Sequence, residues 1–287
     1  MQIINTVSAL RLALKNQENI AFVPTMGNLH AGHIHLVTLA KQQAECVVVS
    51  IFVNPLQFGA NEDLASYPRT LQADCEKLKA AGASIVFTPT VLEMYPDFDG
   101  VNLNQTMSIA LPSIANELCG TTRPGHFSGV ATVVLKLFNM VFLNGVQRAT
   151  AVFGQKDFQQ LFVIKQLVKQ FNLPIQIIAG ETVREASGLA MSSRNGYLTK
   201  EQRQQASQLN AILQNIAIKI KAGHVEFDRL EQEASATLNA QGWVIDYISI
   251  RSAINLSSAN GSDSHLVVLA AAKLGNTRLI DNIEFLR

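Results

Sequence analysis

The residue types and spacings best suited to chemistry occur in residues 24–33, which hold two glycines and two histidines. Gly27 and Gly32 allow the backbone to turn tightly and to approach a ligand closely. His30 and His33 stand three residues apart at the start of a predicted helix, where unpaired amides and the helix dipole favour an anion. Because imidazoles can donate hydrogen bonds to phosphate oxygens, this segment predicts a binding site for a nucleotide triphosphate.

Two other interpretations of these histidines compete with phosphate binding. Paired loop histidines are often structural, and His35 adds a third imidazole that raises the question of a metal. Structural zinc usually has four ligands that include cysteine, and no cysteine lies nearby, so we expect no metal ligand here. A His-x-Gly-His turn after a strand resembles the nucleotidyl-transfer superfamily, which includes class I aminoacyl-tRNA synthetases and small cytidylyl- and adenylyltransferases.

The composition predicts a folded protein of one large or two smaller domains. The 287 residues are 48% apolar and 16% charged, which is ample for a buried core, and a net charge of +1 gives no basic field for nucleic acid. Cys46, Cys75 and Cys119 are odd in number and form no Cys-x-x-Cys pattern, which indicates reduced thiols and a cytoplasmic location. The N-terminus lacks signal-peptide features, and polar residues interrupt the apolar stretch 130–146, so we expect a buried helix and no membrane partner.

Short apolar strands alternate with helical patterns through the first 180 residues. Continuous apolar strands separated by helices predict an α/β fold with a parallel sheet and helices on both faces. The strands are predicted at Ile20–Val23, Val47–Val53, Ser84–Phe87, Ala149–Phe153 and Ile175–Ile178, and the helices at about His33–Gln43, Leu71–Ala81, Thr132–Val141 and Asp157–Phe171.

The pattern changes after about residue 182. Helices are predicted at Lys200–Ala222 and Glu226–Ala240, and strands at Trp243–Ile250 and Leu266–Ala271. This part of the chain therefore predicts a small α+β unit that is distinct from the first domain.

Polar turns follow three of the predicted strands. Because ligands of parallel α/β sheets bind at the carboxyl ends of the strands, these turns should form one site. The histidine turn follows one strand, residues 54–57 follow a second and residues 154–157 a third. Asn54 and Gln57 offer neutral donors and acceptors suited to a hydroxylated, carboxylated small molecule, with a simple polar turn as an equal alternative.

Two further segments are suited to a triphosphate. Lys156 can meet a phosphate beside Asp157, a predicted helix cap or first-turn acid, with Gln160 one turn further along the helix. Residues 191–194, Met-Ser-Ser-Arg, lie at the predicted domain junction, where arginine can neutralise charge that develops on a leaving pyrophosphate. Residues 123–127 place a cation and an imidazole in a rigid loop that could contribute to a site. An ordinary solvated loop without a function is the simpler interpretation.

In this order the motifs resemble those of the pantothenate synthetase (pantoate–β-alanine ligase) family over nearly the whole chain. The resemblance implies a homodimer with a Rossmann-like ATP- and pantoate-binding domain at 1–182 and a smaller C-terminal α+β lid domain at 183–287. It also implies a two-step reaction in which ATP and (R)-pantoate give pantoyl adenylate and pyrophosphate. β-Alanine then attacks the adenylate to give pantothenate and AMP.

The resemblance assigns roles to individual residues. It implies catalytic roles for His33, His30, Lys156 and Arg194, with His33 as the residue usually described as the proton donor. Gln57 and Gln160 would bind pantoate, and Gln57 would also lie next to β-alanine. ATP, with Mg²⁺ on its phosphates, would be bound by Met26, Gly27, Asn28, Leu29, His30, Ala31, Gly32, His33, Gly154, Gln155, Lys156, Asp157, Val183, Met191, Ser192, Ser193 and Arg194.

Two departures from the family pattern are present. Gln155 stands where the family usually has glutamate in Gly-Glu-Lys-Asp, and residues 140–148 replace a usually shorter Gln-Pro-Asp connection. Because Lys156 and Asp157 are retained, we expect activity to persist.

Two other functions are compatible with a nucleotide turn. A nucleotidyltransferase would move a whole AMP or CMP to a phosphorylated acceptor and should have a basic pocket, whereas Gln57 and Gln160 are neutral. A nucleotide-sensing module without catalysis would have no need of Lys156 or of residues 192–194.

Overall fold

A computed structural model describes residues 1–59, 64, 67–142 and 146–287. The chain divides into two compact units. Two short segments, 116–122 and 156–159, belong to the second unit although they lie within the sequence of the first, and no sequence pattern indicated this. The first unit comprises residues 1–115, 123–155 and 160–181, and the second comprises 116–122, 156–159 and 182–287. The division into domains at 1–182 and 183–287 stays a prediction.

The first unit is built on a six-stranded sheet in which every neighbouring pair is parallel. The predicted α/β fold is thereby confirmed. The sheet contains one strand beyond the five predicted, the edge strand at residues 2–4, which is too short to show periodicity. The strands are β1 (Gln2–Ile4), β2 (Asn19–Thr25), β3 (Cys46–Ile51), β4 (Ile85–Phe87), β5 (Arg148–Gly154) and β6 (Ile175–Gly180), in the order β1-β4-β3-β2-β5-β6.

Seven helices lie in the described part of the chain before β6. The fifth belongs to the second unit, and the seventh begins in the segment 156–159 of that unit. The helices are α1 (Val7–Leu14), α2 (Ala31–Lys41), α3 (Leu71–Ala81), α4 (Val91–Met94), α5 (Cys119–Thr122), α6 (His126–Val141) and α7 (Phe158–Gln170).

The sheet is buried on both faces, as continuous apolar strands require. Side chains alternate between the faces because a strand has a period of two. Phe22 and Val48 pack in one core with α1, α6 and α7, whereas Val23 and Val49 pack in the opposite core with α2 and α3. The helix faces that carry charged side chains are exposed to solvent. The polar turns lie at the ends of the strands.

The helix predicted at Thr132–Val141 is α6, which begins six residues earlier, at His126, and ends at Val141 as predicted. Gly125 precedes it with a φ of 80°. Among the described residues, no helix is long and apolar enough to cross a membrane. Leu143, Asn144 and Gly145 of the unusual 140–148 connection lie outside the described residues, and the amides of Gln147 and Arg148 at its end donate to Glu18 O at 2.8 and 3.1 Å.

The second unit contains three helices after α7 and an antiparallel sheet, which confirms the predicted α+β class. The single helix predicted at Lys200–Ala222 is two helices, since residues 206–207 form a turn between them. The apolar stripe begins only at Leu209, in the second of the two helices. The last strand was not predicted, since its buried Asp281 and Asn282 obscure the alternation. The elements are α8 (Lys200–Gln205), α9 (Gln208–Lys221), α10 (Phe227–Asn239), β7 (Trp243–Ser252), β8 (His265–Leu274) and β9 (Thr277–Leu286), with strand order β7-β8-β9.

One apolar core holds the second unit together. Leu213 and Ile220 of α9 pack with Leu238 of α10 against Leu266 and Val268 of β8. The helical period of the α9 stripe matches its buried face, because one residue in three or four faces the sheet.

Candidate active site

The histidine turn joins β2 to α2 and ends in a helix cap made of imidazoles. Gly27 and Asn28 have positive φ values of 84° and 50°. His30 is the N-cap residue, and its Nδ1 accepts a hydrogen bond from Gly32 N at 3.2 Å. His33 Nδ1 accepts from His30 N at 3.3 Å, and the two ring centroids are 4.1 Å apart. The two histidines thus form a reciprocal capping box.

This cap determines which ring atoms can act on a ligand. A backbone N–H can only donate, so Nδ1 of His30 and of His33 is an acceptor and a neutral ring carries its proton on Nε2. Each Nε2–H is then a donor beside the first turn of α2, where the helix dipole also favours an anion. These are the requirements for recognition of a phosphate.

Asp74 of α3 fixes the backbone of the histidine turn. Its carboxylate is fully buried and accepts hydrogen bonds from Asn28 N and Leu29 N, each at 2.8 Å. The Thr70 hydroxyl donates to the same carboxylate at 3.0 Å, and Lys77 Nζ donates to Leu29 O at 2.7 Å. The left-handed conformation of Asn28 is therefore stabilised from outside the turn.

The polar turn after β3 is a 3-10 turn that ends at Gln57. Arg123 Nη2 and His126 Nδ1 lie 3.1 and 2.9 Å from Gln57 O, and Arg123 Nη1 lies 3.2 Å from His126 Nε2. Because a carbonyl only accepts and a guanidinium only donates, a neutral His126 carries its proton on Nδ1. Arg123 and His126, in the segment for which a solvated loop was the simpler interpretation, thus hold the backbone of Gln57.

The first unit brings the histidine turn, the turn at residues 54–57 and the start of the third turn, Gly154 and Gln155, to one edge of the sheet. β2 pairs with β3 and with β5, with Thr25 opposite Ile51 and Phe22 opposite Ala151. The chain winds from β2 to β3 and β4 in one direction and from β5 to β6 in the other, so the edge outside β2 and β5 is a topological switch point. Gln155 and Gln160 follow β5 on this edge and are half-buried.

In the second unit, Lys156 and Ser192 line one cavity together with Asp281 of β9. Asn282 Nδ2 donates to Lys156 O at 2.8 Å, and Asn282 N donates to the Asp281 carboxylate at 2.8 Å. Residues from distant parts of the sequence thereby lie around one small cavity. Asp157 is exposed immediately before α7, and Ser193 and Arg194 begin a 3-10 turn over Ser193–Tyr197.

Arg184 ties the segment that carries Met191 and Ser192 to β9. Its guanidinium donates to both Asp281 oxygens at 2.7 and 2.9 Å and to Gly188 O at 3.1 Å. Met191 N also donates to Val183 O at 3.0 Å. The base of the predicted phosphate-binding loop is thus held by main-chain and charged hydrogen bonds.

A second network holds the other end of this loop. Arg203 donates to both oxygens of Glu185 at 2.9 and 2.8 Å, and Asn195 Nδ2 donates to Glu185 at 3.1 Å and to Ala190 O at 3.1 Å. The hydrogen bonds from Arg203, followed by that from Asn195, lower the pKa of Glu185 although partial burial opposes the shift. Glu185 therefore remains an ionised anchor next to the segment with Ser193 and Arg194.

Several residues that shape these sites were not predicted from the sequence. Asp74 lies in the middle of an ordinary amphipathic helix, Tyr95 follows a four-residue helix, and Asp281 and Asn282 lie in the strand that was missed. Each is a buried polar side chain, but burial of a polar residue leaves no local pattern. The one available signal was the polar pair Asp281-Asn282 between the apolar residues Leu279-Ile280 and Ile283.

The sequence matches a known protein family along almost its whole length. The family described as pantoate-beta-alanine ligase matches residues 2–284. A pantothenate synthetase of Methylobacillus flagellatus is 61% identical over 285 residues, which cover 99% of each chain. One from Thiobacillus denitrificans is 54% identical over 285 residues, covering 99% of this chain and 97% of that protein.

Solved structures give the same result. A crystal structure of pantothenate synthetase from Thermus thermophilus has a TM-score of 0.90 at 38% identity, with 99% of each chain covered. A pantoate-beta-alanine ligase from Francisella tularensis, crystallised with beta-gamma ATP and beta-alanine, has a TM-score of 0.76 at 36% identity, covering 99% of this chain and 97% of that one.

Replacement of Asp74 by asparagine tests the support of the histidine turn. The amide turns a donor toward one of the two backbone N–H groups, so Asp74→Asn should lower the free energy of unfolding by roughly 1–3 kcal/mol. Amide hydrogen exchange at Asn28 and Leu29 should also accelerate. Glu76→Gln on the exposed face of the same helix is the matched control, and equal effects of the two substitutions would contradict the role of Asp74.

Proposed function

Because this chain belongs to the pantoate–β-alanine ligase family, we propose that it condenses (R)-pantoate with β-alanine to pantothenate, with conversion of ATP to AMP and pyrophosphate. One observation carries the proposal from the structure itself. A helix start capped by His30 and His33 stands at the same sheet edge as the neutral amide of Gln57. The first group suits phosphate, and the second suits an uncharged or carboxylate oxygen of a small acid.

The first step is an adenylation. A carboxylate oxygen of pantoate attacks the α-phosphorus of ATP, the bond from that phosphorus to the bridging oxygen breaks, and pyrophosphate leaves with the bonding electrons. No protein nucleophile is needed, so catalysis consists of positioning and of stabilising negative charge. We assign charge stabilisation to the Nε2–H groups of His30 and His33, to Lys156 and to Arg194. His33 can serve the transition state as a hydrogen-bond donor without transferring its proton.

The second step is an acyl transfer. The amine of β-alanine attacks the carbonyl carbon of pantoyl adenylate, the bond from that carbon to the AMP oxygen breaks, and the amine loses a proton. We assign pantoate binding to Gln57 and Gln160, with Gln57 next to β-alanine. Both are neutral, which suits an intermediate whose carboxylate has become a mixed anhydride with AMP.

The ATP-binding residues are proposed for each unit separately. In the first unit they are Met26, Gly27, Asn28, Leu29, His30, Ala31, Gly32, His33, Gly154 and Gln155. In the second unit they are Lys156, Asp157, Val183, Met191, Ser192, Ser193 and Arg194. The cationic and hydroxyl side chains of Lys156, Ser192, Ser193 and Arg194 support this assignment, because both kinds of group bind phosphate oxygens.

We propose that Mg²⁺ arrives with ATP. In the described ranges, no group of three or more His, Cys, Asp or Glu side chains is arranged to hold a metal. Bound to the triphosphate, the ion would take phosphate oxygens and water as ligands and would neutralise negative charge there.

We further propose a cytoplasmic homodimer. The three cysteines are free thiols, which suits a reducing compartment. The dimer rests on the family resemblance.

A pyrophosphate-release assay tests the proposed reaction. ATP and (R)-pantoate should give pyrophosphate, and AMP with pantothenate should accumulate in repeated turnovers only when β-alanine is added. Turnover of CTP with a phosphorylated acceptor, and none with pantoate, would instead establish a nucleotidyltransferase. Nucleotide binding without any turnover would establish a sensing module.

His33→Ala should lower the rate of adenylation by roughly 10²–10³-fold, which is the effect of losing one transition-state donor. Pyrophosphate release without β-alanine measures this step. His35→Ala is the matched control, because His35 lies two residues further along the same helix and takes no part in the cap. A loss of similar size at His35 would move the centre of the site away from His33.

Arg194→Ala should impair adenylation far more than acyl transfer, because pyrophosphate leaves only in the first step. Single-turnover measurements separate the two steps when pre-formed pantoyl adenylate is supplied with β-alanine. The variant should then form pantothenate at nearly the parent rate, and Arg229→Ala, at an exposed position of α10, should affect neither step. Normal adenylation with failed transfer would place Arg194 at the amine site.

A further inference from the structure

A chain of three buried side chains runs from the core of the first unit to the proposed pantoate site. The Tyr95 hydroxyl donates to Asn54 Oδ1 at 2.6 Å, and Asn54 Nδ2 donates to Gln57 Oε1 at 3.1 Å. Tyr95 and Asn54 are each 1% exposed and Gln57 is 8% exposed. Burial raises the pKa of Tyr95 well above its usual range, so the hydroxyl keeps its proton and remains a donor.

Two backbone groups and the Tyr95 hydroxyl together orient the Asn54 amide. Leu56 N donates to Asn54 Oδ1 at 3.4 Å, and Gly129 O accepts from Asn54 Nδ2 at 3.2 Å. These two bonds are long, and the much shorter bond from the Tyr95 hydroxyl favours the same placement of the oxygen and nitrogen of Asn54. Gln57 consequently meets a donor, its Oε1 is the accepting atom, and its NH₂ group is the part that can face a ligand.

The main chain of Gln57 is held independently of this amide chain. Arg123 and His126 both bind Gln57 O, as described above. Helix α6 also lies directly against the 3-10 turn, because a Cβ at Gly129 would stand 2.2 Å from Leu56 O. Asn54 and Tyr95 therefore act on the orientation of the Gln57 side-chain amide, whose main chain is held by other residues.

We propose that Tyr95 is a positioning residue for the acid substrate and acts on it only through Asn54 and Gln57. The inference rests on the proposed function, since it takes Gln57 as a pantoate-binding residue. Tyr95 holds Asn54 in the orientation that makes Gln57 present N–H groups. Gln57 then selects a hydrogen-bond acceptor, such as a carboxylate or hydroxyl oxygen, and disfavours a ligand that offers only a donor at this point.

The hydroxyl of Tyr95 can be removed without a change in its packing. The ring lies 6.3 Å from the Phe52 ring between centroids, and Lys136 Nζ lies 5.2 Å from the Tyr95 ring centroid. Phenylalanine keeps both contacts. In Tyr95→Phe, Asn54 Oδ1 keeps only the long bond from Leu56 N, so the Asn54 and Gln57 amides gain freedom to rotate.

The experiment compares Tyr95→Phe with the parent protein by calorimetric titration of (R)-pantoate and by steady-state kinetics. The dissociation constant and the KM for pantoate should rise about 3- to 10-fold, the effect of losing one neutral hydrogen bond, while the KM for ATP stays unchanged. Tyr247→Phe is the matched control, since it removes a hydroxyl that lies 3.1 Å from Cys119 Sγ and belongs to the other unit. It should change neither constant.

A double substitution separates positioning from a general structural effect. In a Gln57→Ala background, Tyr95→Phe should cause no further loss of pantoate affinity, because the group it positions is gone. If the loss of pantoate affinity in the double variant equals the product of the losses in the two single variants, the assignment of Tyr95 is wrong. An unchanged KM for pantoate in Tyr95→Phe would overturn it as well. A parent protein that does not bind pantoate at all would overturn the proposed function together with this inference, so the two failures are distinguishable.

Discussion

The parallel pairing of β2 with β3 on one side and β5 on the other is the constraint on which the first unit depends. Parallel strands end at the same edge, so turns that are more than 100 residues apart in sequence become neighbours. The pairing is possible because the three strands are apolar on both faces and are covered by helices on both sides. Any shift in register would move both the apolar faces and the polar turns, so one interaction specifies the core and the site together.

Buried polar side chains orient the hydrogen-bond donors at this edge of the sheet. Asp74 accepts from the backbone of the histidine turn, and Asn54 accepts from Tyr95 and donates to Gln57. Burial of such groups costs free energy unless every hydrogen bond is made, and here the bonds are made within the protein before any ligand binds. Donors that are already oriented need no reorganisation during the reaction, which is the main source of electrostatic stabilisation in enzymes.

The second unit uses charged groups for the same purpose. Arg184 and Asp281 form a two-pronged ion pair in which Asp281 is 3% exposed, and Asn282 beside it holds the backbone of Lys156. The loss of hydration of a buried pair largely offsets its attraction, so such a pair adds little net stability. Its effect is geometric, because two fixed hydrogen bonds join β9 to the base of the segment with Met191 and Ser192.

The sequence by itself determined the fold class, five of the six parallel strands and the location of the polar turns. Apolar runs bounded by glycine, proline and polar residues are local features, and the spacing of His30 and His33 is a local feature as well. The short strand β1 was missed because three residues are too few to show a period. The break between α8 and α9 was missed because an interruption of two residues barely disturbs the helical period. Strand β9 was missed because the polar pair Asp281-Asn282 interrupts the alternation of apolar and polar residues that indicates a strand.

Tertiary structure alone decided which atoms of the candidate site residues are hydrogen-bond donors. The proton positions of His30, His33 and His126 depend on backbone partners, and the orientation of the Gln57 amide depends on Tyr95, 38 residues away in the chain. These partners come from elements that are brought together only by packing of the sheet and its helices. A hydrogen bond between distant residues produces no periodic pattern in the sequence. It requires a polar residue at a single position and does not constrain the residue types beside it.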